Sequence, residues 1–249
     1  MIEFYLGTHQ ANWLSTFEIP LFVSDRRLRR YRTLPRARPS WALDSGAFTE
    51  LSTYGSWDHG PTPKEYAARI DRYATEVGGL AWASPQDWMC EPPVRQRTGL
   101  GVRAHIERTV SSVVELRTLT TVPVIAVVQG WELADYATCV ETYARAGIDL
   151  AREPVVGLGS VCRRERLDEL GAVLAMLNDA GIHKIHGFGV KITGLHRYGA
   201  HLRSTDSLSW SYNARRNPRL EGCVHARCQN CPRYAQAWYR SHIAPLIVR

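Results

Sequence analysis

The sequence predicts an α/β protein, a single (β/α)8 TIM-like barrel followed by a small cysteine-rich segment. About eight apolar or aromatic runs bounded by Gly, Pro, Asp or Ser recur along the chain, as short strands require. Stretches with helical periodicity lie between most of them. Residues 124–128 are apolar throughout, which suits a strand buried on both faces of a parallel sheet. About eight such units in about 210 residues favour a closed barrel, since an open doubly wound sheet usually has five or six strands.

The alternation of strand and helix predicts parallel pairing with right-handed crossovers. Strands are predicted at residues 3–7, 21–24, 41–46, 80–84, 124–130, 155–160, 185–190 and 207–211. Helices are predicted at residues 63–77, 102–119, 132–147, 163–180, 193–201 and 231–243. Thr62 followed by Pro63 is a helix start signal, and Gly147 and Gly181 are suitable stops. No convincing helix separates the first two strands.

No linker, low-complexity tract or repeat divides the 249 residues, of which 45% are hydrophobic. We therefore expect residues 1–215 to form the barrel and residues 216–249 to form an appended segment whose helix packs on it. No apolar run approaches the roughly 20 residues that span a bilayer. Because the amino terminus also lacks a secretory signal, we expect a cytoplasmic protein with no membrane partner.

The chain is basic, with a net charge of +7 and an estimated pI of 9.3. Such a balance favours a polyanionic partner but does not distinguish DNA from RNA. Arginine far outnumbers lysine in the basic clusters, which favours bidentate phosphate contacts. A solvated basic face is an equally good interpretation of the same residues. The clusters are Arg26, Arg27, Arg29, Arg30, Arg32, Arg36 and Arg38, then Arg163, Arg164 and Arg166, and last Arg215, Arg216 and Arg219.

The six cysteines fall into two groups. Three stand singly, at Cys90, Cys139 and Cys162, and are expected to be small buried side chains. The other three crowd together with a histidine, as Cys223, His225, Cys228 and Cys231. That spacing predicts a structural Zn²⁺ site in a reducing compartment, with free cysteines as the alternative. His242 is a rival for the place of His225.

Polar residues and glycines cluster where the predicted strands end. In a barrel these ends share one face, where functional groups gather. Gln and Asp together offer the donors and acceptors that the edge of a heterocyclic base requires, and glycine lets a flat ligand approach the backbone. The strand ends are Asp44-Ser45-Gly46, Pro85-Gln86-Asp87, Gln129-Gly130, residues 157–160 and residues 187–189.

Two carboxylates stand out at opposite ends of the strand order, Asp44 and Asp206. Closure of a barrel makes such residues neighbours across one mouth. Paired carboxylates divide into a nucleophile and a general acid/base, as in retaining glycosyl transfer. The alternative is that each Asp only caps a turn.

The residues in this order resemble the tRNA-guanine transglycosylase superfamily. The closest resemblance is to its branch that places 7-deazaguanines into DNA, the DpdA type of phages and bacteria. The motifs are Asp44-Ser45-Gly46-Ala47-Phe48, residues 126–130, Gly157-Leu158-Gly159, residues 186–190, Asp206 and the cysteine cluster. The resemblance implies a barrel with a structural zinc and an exchange of guanine for a 7-deazaguanine such as 7-cyano-7-deazaguanine. If the chain is phage-encoded, it would act in the host cytoplasm.

Carried over by position, Asp206 resembles the nucleophile that forms the glycosyl intermediate and Asp44 the general acid/base. The residues similar to those that hold the base are Ser45, Asp87, Gln129, Gly130 and Gly159. Asp87 is the least secure of these, because a one-residue shift puts Trp88 in its place. The resemblance implies DNA and a 7-deazaguanine base as partners, with a homodimer or a helper protein as further options.

The chain departs from the family pattern at two places. Ala47 stands where the family usually has a second glycine, and His225 occupies the place of a cysteine in the usual zinc motif. No added RNA-binding domain is evident, which favours DNA over tRNA. Two alternatives stay open, namely the same exchange on tRNA and a zinc-stabilised nucleic-acid-binding protein without catalysis.

Overall fold

The computed structural model describes residues 2–161 and 167–247, and eight parallel strands form its centre. The strands are β1 Glu3–Thr8, β2 Leu21–Ser24, β3 Trp41–Asp44, β4 Leu80–Ala83, β5 Ala126–Val128, β6 Val156–Leu158, β7 Ile185–Gly187 and β8 Ser204–Ser207. Their order in the sheet is β4-β3-β2-β1-β8-β7-β6-β5. A parallel bridge between Ala83 and Val124 links β4 to the segment before β5. The predicted barrel-type α/β fold is confirmed.

Helices cover the outside of the strands. They are α1 Asp25–Leu28, α2 Ala47–Tyr54, α3 Pro63–Glu76, α4 Pro92–Thr98, α5 Val102–Leu119, α6 Leu133–Arg145, α7 Leu167–Asp179, α8 Ile192–Tyr198, α9 Ser209–Arg216, α10 Pro232–His242 and α11 Ala244–Ile247. Short 3-10 turns lie at Ala11–Ser15, Leu150–Arg152 and Gly199–His201. The predicted start of the helix at 163, together with Cys162, Arg163, Arg164 and Arg166, lies outside the described residues.

Helix α3 begins where its start signal predicts. The Thr62 hydroxyl accepts the Glu65 N–H at 3.3 Å, and Glu65 accepts the Thr62 N–H at 2.8 Å. This reciprocal capping satisfies two backbone donors that the first helical turn leaves without partners. Pro63 at the first helical position has no N–H to satisfy.

The prediction of a last strand at 207–211 is wrong. Strand β8 occupies 204–207, pairing with both β1 and β7, and residues 209–216 are helical. The misleading signal was Trp210, whose burial comes from helix packing and an indole N–H bond to the Gly7 carbonyl at 2.8 Å. The real strand, Ser-Thr-Asp-Ser, is fully buried yet carries no apolar side chain, so strand propensity did not reveal it.

The barrel interior is filled by aromatic rings. Tyr5 and Trp82 pack there with the partly buried Phe22 and Phe188. His186 lies among them, with ring centroids 4.7 Å from both Trp82 and Phe188. These rings close the barrel below its carboxyl-end mouth. No helix of the described residues is long and apolar enough to cross a membrane.

Gly157 in β6 tests the packing of this interior. An alanine Cβ there would lie 2.6 Å from Phe188 Cε2 and 3.0 Å from Val127 Cγ2. We expect Gly157→Ala to lower the free energy of unfolding by about 1–3 kcal/mol, because the packed interior has no room for a methyl group. Urea denaturation followed by tryptophan fluorescence measures the loss.

Gly199→Ala is the matched control. Its Cβ would meet no atom within 4 Å, and Gly199 has a helical φ of −56°. Stability should stay unchanged or rise by about 0.4–1 kcal/mol, since alanine restricts the unfolded chain. Equal losses in the two variants would contradict a tightly packed barrel interior.

Candidate active site

A cavity of about 260 Å³ opens at the carboxyl ends of the strands. Five of the seven residues predicted to act on sugar or base line it: Asp44, Asp87, Gln129, Gly159 and Asp206. They come from β3, from the loops after β4, β5 and β6, and from β8. The barrel topology therefore brings together side chains that are up to 162 positions apart in the sequence.

The other two predicted residues lie beside the cavity rather than on its lining. Ser45 is buried, its N–H donates to Ser84 Oγ at 2.8 Å, and its own hydroxyl has no hydrogen-bond partner among the described residues. A Cβ at Gly130 would lie 2.8 Å from the Tyr136 backbone nitrogen. Gly130 thus lets α6 approach the end of β5.

Asp206 lies on β8 with 9% of its surface exposed. Its Oδ1 accepts the Gly189 N–H at 3.0 Å and lies 3.3 Å from His186 Nε2. Oδ2 accepts no hydrogen bond from the described residues. One oxygen is therefore fixed by two protein groups, and the other is left to a ligand in the cavity.

His186 is fully buried beneath Asp206. Its Nδ1 lies 2.9 Å from Ser204 Oγ. With Asp206 ionised, the pattern is satisfied when Nε2–H donates to Asp206 and the Ser204 hydroxyl donates to Nδ1. No role was predicted for His186, although it begins one of the recognised motifs. The usable signal was a histidine at an inward-facing position of a short strand, next to the strand that carries Asp206.

Asp44 ends β3 and is partly buried. Its Oδ1 accepts the Gly46 N–H at 2.9 Å. Burial raises the pKa of the Asp44 carboxyl above its usual range, and the charges of Asp206 and Asp25 add to the increase. Hydrogen bonds from the Gly46 N–H and the Ser24 hydroxyl oppose it. Asp44 is thus electrostatically coupled to Asp206 and suited to hold a proton.

Asp87 and Gln129 form one end of a buried polar network. Gln129 Nε2 donates to Asp87 Oδ2 at 2.6 Å, and Ser160 Oγ lies 2.7 Å from Gln129 Oε1 and 3.0 Å from Glu91 Oε2. A Cβ at Gly159 would lie 2.4 Å from Gln129 Nε2, so the glycine makes room for the amide.

The network holds Ser160 in a strained backbone conformation. Its φ of 56° is the only positive value of a non-glycine residue in the described part of the chain. Such strain persists where surrounding contacts enforce it, and it is common at functional sites. Ser160 and Glu91 were not predicted as site residues, although Ser160 is the last residue of the strand predicted at 155–160.

Asp87 and Trp88, the two candidates for the base-binding position after β4, lie in different surroundings. Asp87 lines the cavity. Trp88 packs against His105, and the Arg108 guanidinium lies 4.5 Å from its ring centroid on the outer side of the barrel. Of the two residues, Asp87 is therefore the one available to a ligand in this cavity.

A second cluster of functional side chains lies between α9 and α10. Cys223, His225, Cys228 and Cys231 each offer one ligand atom, and these atoms lie within 4.8 Å of one another. His242 is elsewhere, stacked on Trp238 with its Nδ1 3.0 Å from that residue's carbonyl oxygen. The geometry therefore groups His225 with the cysteines, and this cluster could hold a metal ion.

Asp87 offers a direct test of the cavity's electrostatics. Burial raises the pKa of Asp87 to about 7, and the charges of Asp44 and Glu91 add to the increase. We expect Asp44→Asn to lower the pKa of Asp87, because it removes a nearby negative charge. Gln129→Leu should raise it, because it removes a donor to the ionised form. Carboxyl-carbon NMR titration measures both shifts.

The control is Glu107→Gln on α5, which removes a negative charge paired with Arg103 on the exposed surface. That variant should leave the titration of Asp87 unchanged. If Asp44→Asn left it unchanged as well, the two carboxyl groups would not share one electrostatic environment.

Comparison with known proteins identifies the family. A family model described as "DpdA: DeoxyPurine in DNA protein A" matches residues 1–248. No curated protein sequence matches the chain.

Among solved structures, one matching chain is from Sinorhizobium meliloti, provisionally assigned as an isomerase and determined in an open-loop conformation. It is 11% identical, with a TM-score of 0.41 over 82% of this chain and 50% of that chain. This chain thus spans about half the length of that protein, and so low a similarity says nothing about activity. The family match, by contrast, covers both the strand ends and the cysteine cluster. The protein therefore belongs to the DpdA family, whose name stands for "deoxypurine in DNA".

Proposed function

We propose that this protein replaces guanine in DNA with a 7-deazaguanine derivative through a covalent bond between Asp206 and the deoxyribose. Family membership implies modification of deoxypurines in DNA by a transglycosylase-type enzyme. The single observation that supports the specific reaction is the position of Asp44 and Asp206 on the lining of the same cavity. Their environments differ, as a nucleophile and a proton carrier require.

In the first step, Asp206 Oδ2 attacks C1′ of the target deoxyguanosine. The bond from C1′ to N9 of guanine breaks, and its electron pair leaves with the base. Asp44, whose pKa is raised by burial, supplies the proton that makes the departing guanine neutral. The two groups that hold Asp206 Oδ1, the Gly189 N–H and His186, keep the carboxylate oriented for attack.

In the second step, the incoming 7-deazaguanine gives its N9 proton to the Asp44 carboxylate and attacks C1′ from the face that guanine left. The ester bond to Asp206 breaks, and both carboxyl groups return to their starting states. Two displacements retain the configuration of the sugar. The phosphodiester backbone takes no part, so the strand stays intact.

Asp87 and Gln129 are suited to bind the base edge. A guanine or a 7-deazaguanine presents adjacent N–H donors and a carbonyl acceptor, which match a carboxylate and an amide. Asp87 and Gln129 are hydrogen-bonded to each other at 2.6 Å, so a base would replace that contact with its own. Because Gly159 has no side chain, a flat ring can approach its backbone.

DNA is the polymer that the family name supports. Because a duplex stacks its bases, the target nucleotide has to be single-stranded or flipped out, which costs a few kcal/mol. Phe48, 40% exposed on the cavity lining, offers an aromatic surface against which a displaced base can stack.

The cysteine cluster is suited to a structural zinc. Cys223 Sγ and Cys231 Sγ are 3.9 Å apart, close to the separation of about 3.8 Å for two sulfurs of a tetrahedral site about 2.3 Å from the metal. The cysteines pack against Ala214 of α9. The Ser211 hydroxyl of the same helix donates to the Gln229 carbonyl at 2.8 Å. A bound ion would thus secure α9, which directly follows the strand of Asp206.

The principal test is exchange of radiolabelled guanine, and of a 7-deazaguanine, into a DNA oligonucleotide. We expect Asp206→Asn to reduce the exchange rate by at least about 10³-fold, because no covalent intermediate can form. Asp44→Asn should lose about 10²–10⁴-fold, as expected of a general acid/base. Asp179→Asn, an exposed residue at the end of α7, is the control and should retain full activity.

An Asp206→Asn variant that exchanges bases at the wild-type rate would contradict the proposal. Parallel assays on tRNA show which nucleic acid is the substrate, since exchange on tRNA alone would exclude DNA. If the intact protein exchanged nothing but bound DNA in a salt-dependent way without Asp44 and Asp206, it would be a non-catalytic binding protein.

Metal analysis tests the zinc site. We expect one Zn²⁺ per wild-type chain, and a loss of metal together with a lower melting temperature for Cys228→Ser and His225→Ala. The reason is that structural zinc typically contributes about 10 kcal/mol to local folding. His242→Ala is the matched control and should keep its zinc, because His242 lies outside the cluster. Full zinc in His225→Ala, or loss of zinc in His242→Ala, would overturn this ligand set.

A further inference from the structure

Three neighbouring strands place basic side chains around one corner of the cavity mouth. Strand β1 pairs with β2 on one side and β8 on the other. His9 directly follows β1 and lines the cavity. Arg27 lies on α1 directly after β2, and Arg215 lies on α9 after β8. The strand order thus places His9 between the elements that carry the two arginines.

Three other arginines of this region are paired with buried acids. Arg26 forms an ion pair with the fully buried Glu50. Arg69 lies 2.9 Å and Arg29 3.8 Å from the fully buried Asp25. These charges are neutralised within the fold, so they contribute little to an anion-binding surface.

Arg27 and Arg215 differ from those neighbours. Within residues 2–161 and 167–247, neither guanidinium forms an ion pair or a hydrogen bond. Arg215 is exposed and Arg27 is half-buried. Arg216, the next residue along α9, is engaged with Tyr212, its guanidinium 3.5 Å from the ring centroid. Two cationic groups on the elements that flank His9 are thus available to an anion.

The charges of Arg27 and Arg215 both act on His9. Burial lowers the pKa of its imidazole to about 4, and the charges of Arg27 and Arg215 add to the decrease. His9 is therefore neutral at pH 7 and can donate one hydrogen bond without adding a third positive charge. A neutral donor between two guanidinium groups matches the several oxygen atoms of a phosphate.

We propose that Arg27, Arg215 and His9 bind a backbone phosphodiester directly adjacent to the target nucleotide. The proposal rests on the proposed function in one respect, that the sugar attacked by Asp206 belongs to a polynucleotide. That sugar carries its phosphates on C3′ and C5′, so an anion site has to lie near the nucleophile. Strand β8 supplies the nucleophile and leads directly into α9, which carries Arg215.

Methylphosphonate substitution tests the contact atom by atom. We use a single-stranded oligonucleotide with one deoxyguanosine, in which the phosphate on its 5′ or its 3′ side is replaced by a neutral methylphosphonate. For the wild type, one of the two substitutions should lower affinity by about tenfold, as expected for a lost charge-assisted contact. Fluorescence anisotropy measures binding, and base exchange measures kcat/KM on the same strands.

The variants Arg27→Gln and Arg215→Gln should each lose about tenfold in affinity for the unmodified strand. The same methylphosphonate should then cost them little more, because the contact is already gone. The slope of log affinity against log salt should fall by about 0.7 for each lost phosphate contact. Arg27→Lys should recover part of the loss, since it restores the charge without the bidentate geometry.

Arg240→Gln is the charge-matched control. Arg240 is exposed on α10, whose Trp238 and Tyr239 pack against Phe4 near the opposite end of the barrel. This variant should bind like the wild type and keep its sensitivity to methylphosphonate. Circular dichroism melts establish that all variants fold.

The outcomes distinguish a failure of the proposed phosphate site from a failure of the proposed base exchange. An equal methylphosphonate penalty in wild type and both arginine variants would overturn the phosphate site, even if base exchange proceeds. Equal losses in Arg240→Gln and the two variants would also overturn it, because they indicate a general charge effect. If the wild type exchanges no base, the binding data still decide the phosphate site while the proposed function fails.

Discussion

The mutual repulsion of carboxyl groups confined to one cavity is the constraint on which the rest of this site depends. Asp44, Asp87 and Asp206 all line the cavity at the strand ends. Three ionised carboxylates lining one cavity repel one another, and the surrounding residues stabilise the three groups to different extents. Asp206 receives two hydrogen-bond contacts on one oxygen. Burial raises the pKa values of Asp44 and Asp87, to about 7 in the case of Asp87. Unequal environments make identical side chains suited to different tasks.

Much of this arrangement could be predicted from the sequence because barrels concentrate polar residues where strands end. Asp44, Asp87, Gln129 and Gly159 lie at the ends of recognisable strands or just beyond them, and the topology brings them together. Strand β8 was misplaced because its Ser-Thr-Asp-Ser sequence has no apolar signature, although all four residues are buried. His186 was missed for a related reason. Its partners, Ser204 and Asp206, become visible only once β7 and β8 are paired.

The cysteine cluster and the cavity are connected through α9. The helix begins two residues after β8 and packs by Ala214 against the cysteines. Its Trp210 is anchored to the Gly7 carbonyl at the end of β1. A change in the cluster would therefore reach both the strand of Asp206 and the guanidinium of Arg215. For this reason a metal ion bound by the cysteine cluster would affect the geometry of the cavity through α9.

An acidic cavity poses a problem for the proposed substrate, because DNA is a polyanion. Phosphates that approach three carboxyl groups are repelled, and a net charge of +7 spread over the whole surface is screened by salt beyond about 10 Å. Several nearby arginines form ion pairs with buried acids, as Arg26 does with Glu50. The cations that remain available have to stand at the mouth itself. Arg27 and Arg215, on the helices that follow the two neighbours of β1, are suited to supply that charge beside His9, which lines the cavity.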